Sequence, residues 1–154
     1  MTGTDLTQID GLDVMTATTI LSEAGWDMSK WEDEDHFVSW LRQCPDNRIS
    51  GDKVIGKGRL PNNRASIALG MAASTLRMSN TYLGAQFRRF RTRLGSPIAI
   101  KAMAAKLARL VYRMLRYGTK YVDQGAQFYD AQHRNLQITH LKWKAANPCW
   151  HDHT

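Results

Sequence analysis

Residues 82–118, YLGAQFRRFRTRLGSPIAIKAMAAKLARLVYRMLRYG, carry the pattern that decides the fold class. In the first half Leu83, Phe87, Phe90 and Leu94 recur at helical spacing as one stripe, flanked by Arg88, Arg89, Arg91 and Arg93. Gly95-Ser96-Pro97 then interrupts and restarts the chain, with Ser96 read as the N-cap and Pro97 at the first helical position. In the second half Ile100, Met103, Leu107, Leu110, Val111 and Met114 line one side. Lys101, Arg109, Arg113 and Arg116 line the other, until Gly118 closes the segment. Two amphipathic helices in tandem, with no alternating pattern between them, predict an all-α domain.

Working outward, the same period recurs. A Gly turn precedes a helix with Val14, Ala17, Ile20 and Leu21 on one face, ended by Gly25. Trp26 to Asp35 reads as a loop whose carboxylates lead into a helix carrying Phe37, Val38, Trp40 and Leu41, where first-turn acids favour the helix dipole. Cys44-Pro45-Asp46-Asn47 breaks that helix, and Arg48 to Pro61 is a Gly- and Lys-rich loop. From about Pro61 a long helix is expected, with Ile67, Met71 and Met78 on one face and Leu69, Ala72 and Leu76 on the other. A helix apolar on two sides is expected at the centre of a core. A last helix runs from Gln127 to Lys144, followed by a frayed tail. The expected layout is a helical domain over 1–125, made of an acidic hairpin-like part (1–46), a Ser/Gly/Lys loop (47–60) and a basic helical part (61–125). Residues 126–154 form the C-terminal helix and tail.

Charge divides the chain. Residues 1–46 hold ten carboxylates against Lys30 and Arg42, a net −8, while the remainder holds 19 Lys and Arg against four carboxylates, a net +15. An excess of that size suggests an anionic partner, most often nucleic acid. The acidic N-terminus has no apolar signal-peptide core, and basic residues interrupt the most apolar helix, so a cytoplasmic, nucleoid-associated protein without a membrane span is expected. Cys44 and Cys149 have no metal-type spacing and read as reduced thiols. The five histidines show no ligand spacing beyond the terminal Cys-Trp-His-Asp-His, so no metal site and no cofactor are expected in the chain.

Three motifs bear on chemistry. Gly51 to Gly58 nearly matches a phosphate-binding loop but has Gly58 where magnesium binding needs Ser or Thr, and Pro61 follows. Ile9-Asp10-Gly11-Leu12-Asp13 has the outline of a helix-hairpin-helix, with Asp13 in place of the second glycine, and a structural hairpin competes there with a phosphate-binding one. Ser50 precedes Gly51 among Arg48, Lys53, Lys57, Arg59 and Arg64. Clustered cations can hold a phosphodiester's oxygens and stabilise transition-state charge, whereas a serine hydroxyl alone is a poor nucleophile. The competing reading is a turn serine in a basic loop that merely grips phosphates. The arginines of the two tandem helices, Arg88, Arg89, Arg93, Arg109 and Arg113, are expected as further phosphate contacts.

Several segments in order carry a resemblance: DNRISGDK (46–53), Asn63-Arg-Ala, Met71-Ala-Ala, LGAQFRRFRTRLGSP (83–97) and AKLARLVYRMLRYG (105–118). Together they resemble the C-terminal domain of the IS-one-ten insertion-sequence transposases, over about Ile9 to Tyr121. The resemblance implies a bacterial mobile-element enzyme of DNA transposition and recombination. In such enzymes a serine of a Ser-Gly motif attacks DNA, which puts Ser50 as nucleophile with Gly51 and Lys53 as motif neighbours. It further implies a RuvC-like half in cis or trans that binds Mg2+, a guide (bridge) RNA of the element, DNA as substrate and a homo-oligomer. Leu41-Arg42-Gln43 departs from the family's Gly-Leu before Cys-Pro, and Ala105 replaces a common histidine. With no RuvC-like carboxylates in the chain, a fragment inactive without its partner is expected. The alternative is a non-catalytic nucleic-acid-binding module.

Overall fold

The computed structural model describes residues 3–43, 47–50, 53–57, 63–118, 120 and 123–146, with backbone only for 47–57. Among the described residues six helices follow one another: α1 (Val14–Ala24), α2 (Glu34–Trp40), α3 (Arg64–Thr75), α4 (Tyr82–Leu94), α5 (Ser96–Tyr117) and α6 (Ala126–Ala146). Single 3-10 turns stand at Leu6–Gln8, Met28–Lys30 and Leu76–Met78. The fold is all-α as the periodicity predicts, with one addition. Part of the expected loop over 47–60 is an antiparallel hairpin of β1 (Asn47–Ser50) and β2 (Lys53–Lys57). The β-branched pair Val54-Ile55 favours extended backbone over a loop. The hairpin also disposes of the phosphate-loop reading, which needs a strand feeding a helix rather than a second strand.

α5 is the axis. It packs on α2, α3 and α4, while α1 lies on α3 and α6 on α4. Its apolar stripe explains why: Met103, Leu107, Val111 and Met114 are buried, and Ala99, Ala104 and Ala108 let neighbouring helices approach closely. Phe37, Phe87 and Tyr112 are among the largest fully buried side chains, and Phe37 lies 5.8 Å from the Tyr112 ring. Truncating Phe37 or Phe87 to alanine removes about 3–5 kcal/mol, transfer and cavity terms together.

Aspartates and other small polar residues start the helices. Asp13 accepts from Thr16 N at 2.7 Å, Asp33 from His36 N at 2.8 Å and Asn63 from Ser66 N at 2.7 Å, each cap contributing about 1 kcal/mol. Three local expectations are corrected or fall outside the described residues. Ser96 makes no capping bond, because Gly95 at φ +84° occupies the cap and Ser96 is the first residue of α5. The expected start near Pro61 lies outside the described residues, and α3 begins at Arg64 behind the Asn63 cap. The helix before the Gly11 turn is only the 3-10 turn Leu6–Gln8.

α3 is also not central. Leu69, Ala72 and Leu76 are buried, but Ile67, Met71 (67% exposed) and Met78 (83% exposed) face outward, as does Val14 (68% exposed) of α1. α1 and α5 cover only one side of α3, so its second apolar face has no neighbour among the described elements. α6 extends from Ala126 to Ala146, slightly beyond the expected ends, and buries Tyr129 alone.

Candidate nucleic-acid interface and serine hairpin

Ser50 is the last residue of β1 and pairs in register with Lys53, the first residue of β2. Ile49 pairs with Val54, Arg48 with Gly56 and Asn47 with Lys57, with an irregularity between Arg48 and Ile49. The sequence thus puts Ser50 at the distal end of a hairpin whose strands also carry Arg48, Lys53 and Lys57. Gly51 and Arg59 lie outside the described residues. The base of this segment is closed by a contact that sequence reasoning missed. Buried Gln43 donates from Nε2 to the Ser66 hydroxyl at 2.8 Å and to the Ser66 carbonyl oxygen at 3.1 Å, joining the end of the α2 segment to the start of α3. Gln43 belongs to the segment that departs from the family pattern. A glutamine just past the end of an apolar helix carries no signal by itself.

The basic residues separate into bound and unbound. Arg113 donates through Nη2 to Glu34 at 2.7 Å, and Arg109 through Nη2 to Asp35 at 2.9 Å. The first-turn acids of α2 therefore do more than favour their own helix, since they clamp α2 to α5. The Glu34 contact raises the Arg113 pKa further. Burial, then the charges of Arg113 and Arg109, hold the Lys106 ammonium below the ordinary lysine range. Arg88 Nη1 donates to the Ser79 carbonyl at 2.6 Å, and Arg89 Nη1 lies 2.6 Å from His133 Nδ1 of α6. Arg93 and Arg64 are exposed and make no hydrogen bond or ion pair among the described residues. The structure thus brings Arg109 and Arg113 together over α2, puts Arg88 and Arg89 along α4, and leaves Arg93 at the α4 end and Arg64 at the base of the hairpin segment.

The helix-hairpin-helix outline resolves into a packed turn. Ile9 and Leu12 are buried, and Gly11, at φ +87°, sits where a Cβ would stand 3.0 Å from the Ala72 carbonyl oxygen of α3. Asp10 Oδ2 accepts from Ser79 Oγ at 2.5 Å and from Thr81 Oγ1, while Thr81 caps α4. The turn is therefore tied to the α4 N-terminus by a carboxylate the sequence did not mark. Most carboxylates of the acidic part are engaged as caps or in ion pairs rather than converging, and among the described residues no group of three or more His, Cys, Asp or Glu is placed to hold a metal ion. The residues described do not fit a magnesium site.

Comparison with known families makes the chain a transposase. The description that matches, over residues 3–89, is Transposase IS116/IS110/IS902 family, and it spans more than half of the chain. The chain belongs to the IS116/IS110/IS902 family of transposases. The match runs from the N-terminal turn through the serine hairpin and into α4. Membership makes the protein an insertion-sequence enzyme of DNA transposition in general, one that binds DNA. No curated protein and no solved structure matches the chain. Among the described residues no helix is long and apolar enough to cross a membrane.

Proposed function

We propose that the chain supplies the serine half of a composite recombination site, with Ser50 as the nucleophile. The observation that supports this most is the register: Ser50 and Lys53 are the paired ends of β1 and β2, inside the segment matched to the transposase family. Serine attack on a DNA phosphodiester forms an Oγ–phosphorus ester and releases a sugar oxygen as a free hydroxyl end. The serine proton has to leave, and negative charge grows on the phosphoryl oxygens, so the step needs a base and cations. Lys53, Arg48, Lys57, Arg59 and Arg64 are the cations of this segment, and Gly51 follows the serine in the Ser-Gly motif. Magnesium belongs, on this reading, to a RuvC-like half in cis or trans, where it would supply Lewis-acid charge. A guide RNA of the element selects the DNA, and the assembly contains more than one copy of the chain.

The test mixes the full chain with element-end DNA and a RuvC-like half, then separates products on a denaturing gel. A protein–DNA adduct is expected with the parent chain and none with Ser50→Ala. Survival of the adduct in Ser50→Ala overturns the assignment. A non-catalytic binding module is the second reading, favoured by exposed Arg93 at the end of α4. It gives salt-dependent DNA binding and no adduct in any mixture.

A further inference from the structure

Two surfaces of this chain are apolar, exposed and far apart in the packing order. The first belongs to α1 and the outward face of α3, where Val14, Met15, Ile67 and Met71 are all more than half exposed. The second is the distal half of α6. Every residue from Arg134 to Ala146 is exposed, a stretch of roughly 20 Å at 1.5 Å per residue, and it carries Leu136, Ile138 and Leu141 outward. Trp143 of the same stretch is 53% exposed and stacks on His140. Large exposed apolar patches on a folded domain mark interaction sites.

Charge distinguishes the two surfaces and matches them to each other. Residues 3–29 hold Asp5, Asp10, Asp13, Glu23 and Asp27 and no lysine or arginine; α3 and the turn after it (64–78) add Arg64 and Arg77 and no carboxylate, so the two segments together keep a net −3. Residues 131–146 hold Arg134, Lys142 and Lys144 and no carboxylate. Like-with-like pairing of two α6 arms sets cation against cation, whereas arm on α1 sets cation against carboxylate. Within one copy the two cannot meet by the packing observed: α1 lies on α3, α6 on α4, and α5 stands between α3 and α4. The apolar side chains of the arm also argue against nucleic acid as its main occupant, since phosphates offer them no burial.

We propose that the distal half of α6 docks on the exposed α1/α3 face of a second copy of this chain, reciprocally, in a two-fold dimer. The arm lays Ile138 and Leu141, which share one helix face at i, i+3, along the α3 stripe of Ile67 and Met71, whose methionine adapts to an irregular partner. Arg134, Lys142 and Lys144 meet the carboxylates around α1. This inference does not rest on the role of Ser50, and no adduct assay bears on it.

Sedimentation of the nucleic-acid-free full chain tests it, with two variants: a face variant, Met15→Asp with Met71→Asp, and an arm variant, Ile138→Asp with Leu141→Asp. All four positions are exposed, so circular dichroism and melting should match the parent. The parent is expected to dimerise, more weakly as salt rises. Each variant alone should lose affinity for itself by about thirtyfold or more, the effect of losing a central interface anchor. A mixture of the two should form a one-to-one heterodimer tighter than either variant alone, because one intact arm still finds one intact face. A monomeric parent overturns the proposal, as does an arm variant that dissociates while the face variant does not. Loss of DNA binding in the arm variant, with association unchanged, assigns the arm to nucleic acid and equally overturns it.

Discussion

Gly84→Ala should lower the melting temperature, although helix propensity alone argues the reverse. Gly84 lies in the first turn of α4, and an added Cβ there falls inside van der Waals contact of the Ser79 carbonyl oxygen, 2.9 Å from the Ser79 carbonyl carbon and 3.1 Å from the Leu76 carbonyl oxygen. All three are backbone atoms, so no rotamer change relieves the overlap. The strand of chain from Leu76 to Ser79 must retreat by about 1 Å to restore ordinary contact in a close-packed interior. That carbonyl accepts from Arg88, and the Ser79 hydroxyl donates to Asp10, so retreat loosens the link between the N-terminal turn and α4. Overpacking costs about 1–3 kcal/mol, and weakened charge-assisted hydrogen bonds add about 1.5–3 kcal/mol. The helix preference of alanine offsets about 1 kcal/mol. The net is a loss of about 1.5–5 kcal/mol, or roughly 3–20 °C for a chain of this size. Gly70→Ala in α3 is the control, because nothing lies within 4 Å of its added Cβ. It should raise the melting temperature by about 2–4 °C, the effect of up to about 1 kcal/mol of helix preference. Calorimetry of both variants decides the matter, and a Gly84→Ala protein that melts at or above the parent refutes the packing argument.

Two further outcomes are expected. His36 and the Asp33 cap form an exposed pair at 2.8 Å, and the hydrogen bond that His36 Nδ1 donates to Asp33, with the charge of that carboxylate, raises the His36 pKa above 6.5. Stabilisation from the charged imidazole is then fully present below the unfolded pKa and fades as pH rises through the folded one. The melting difference between parent and His36→Gln should accordingly shrink from pH 5.5 to pH 8.5, and a constant difference contradicts the pair. Arg93→Ala should weaken DNA binding and reduce the slope of log affinity against log salt by about one. Arg113→Ala should change that slope less, because Glu34 already holds its guanidinium; equal slopes in titrations of the two variants would overturn the distinction.

Sequence by itself determined the helical class and most of the core. Apolar spacing in 82–118 placed α4 to the residue and α5 within one residue of its start, since side-chain period and glycine stops are local properties of the chain. It also separated acidic from basic halves and carried the family. What it could not determine was which apolar face would find a neighbour. Ile67 and Leu69 look alike along the chain, yet α1 and α5 cover Leu69 and leave Ile67 outside. Only tertiary structure brought Asp10 to Ser79 across 69 residues, and Glu34 to Arg113 across 79. Such pairs have no period and no motif, so the cations of α5 looked equally available for phosphate until packing set two of them against α2. Burial and pairing arise from where whole elements pack, and that information is shared among distant segments rather than written in any one of them.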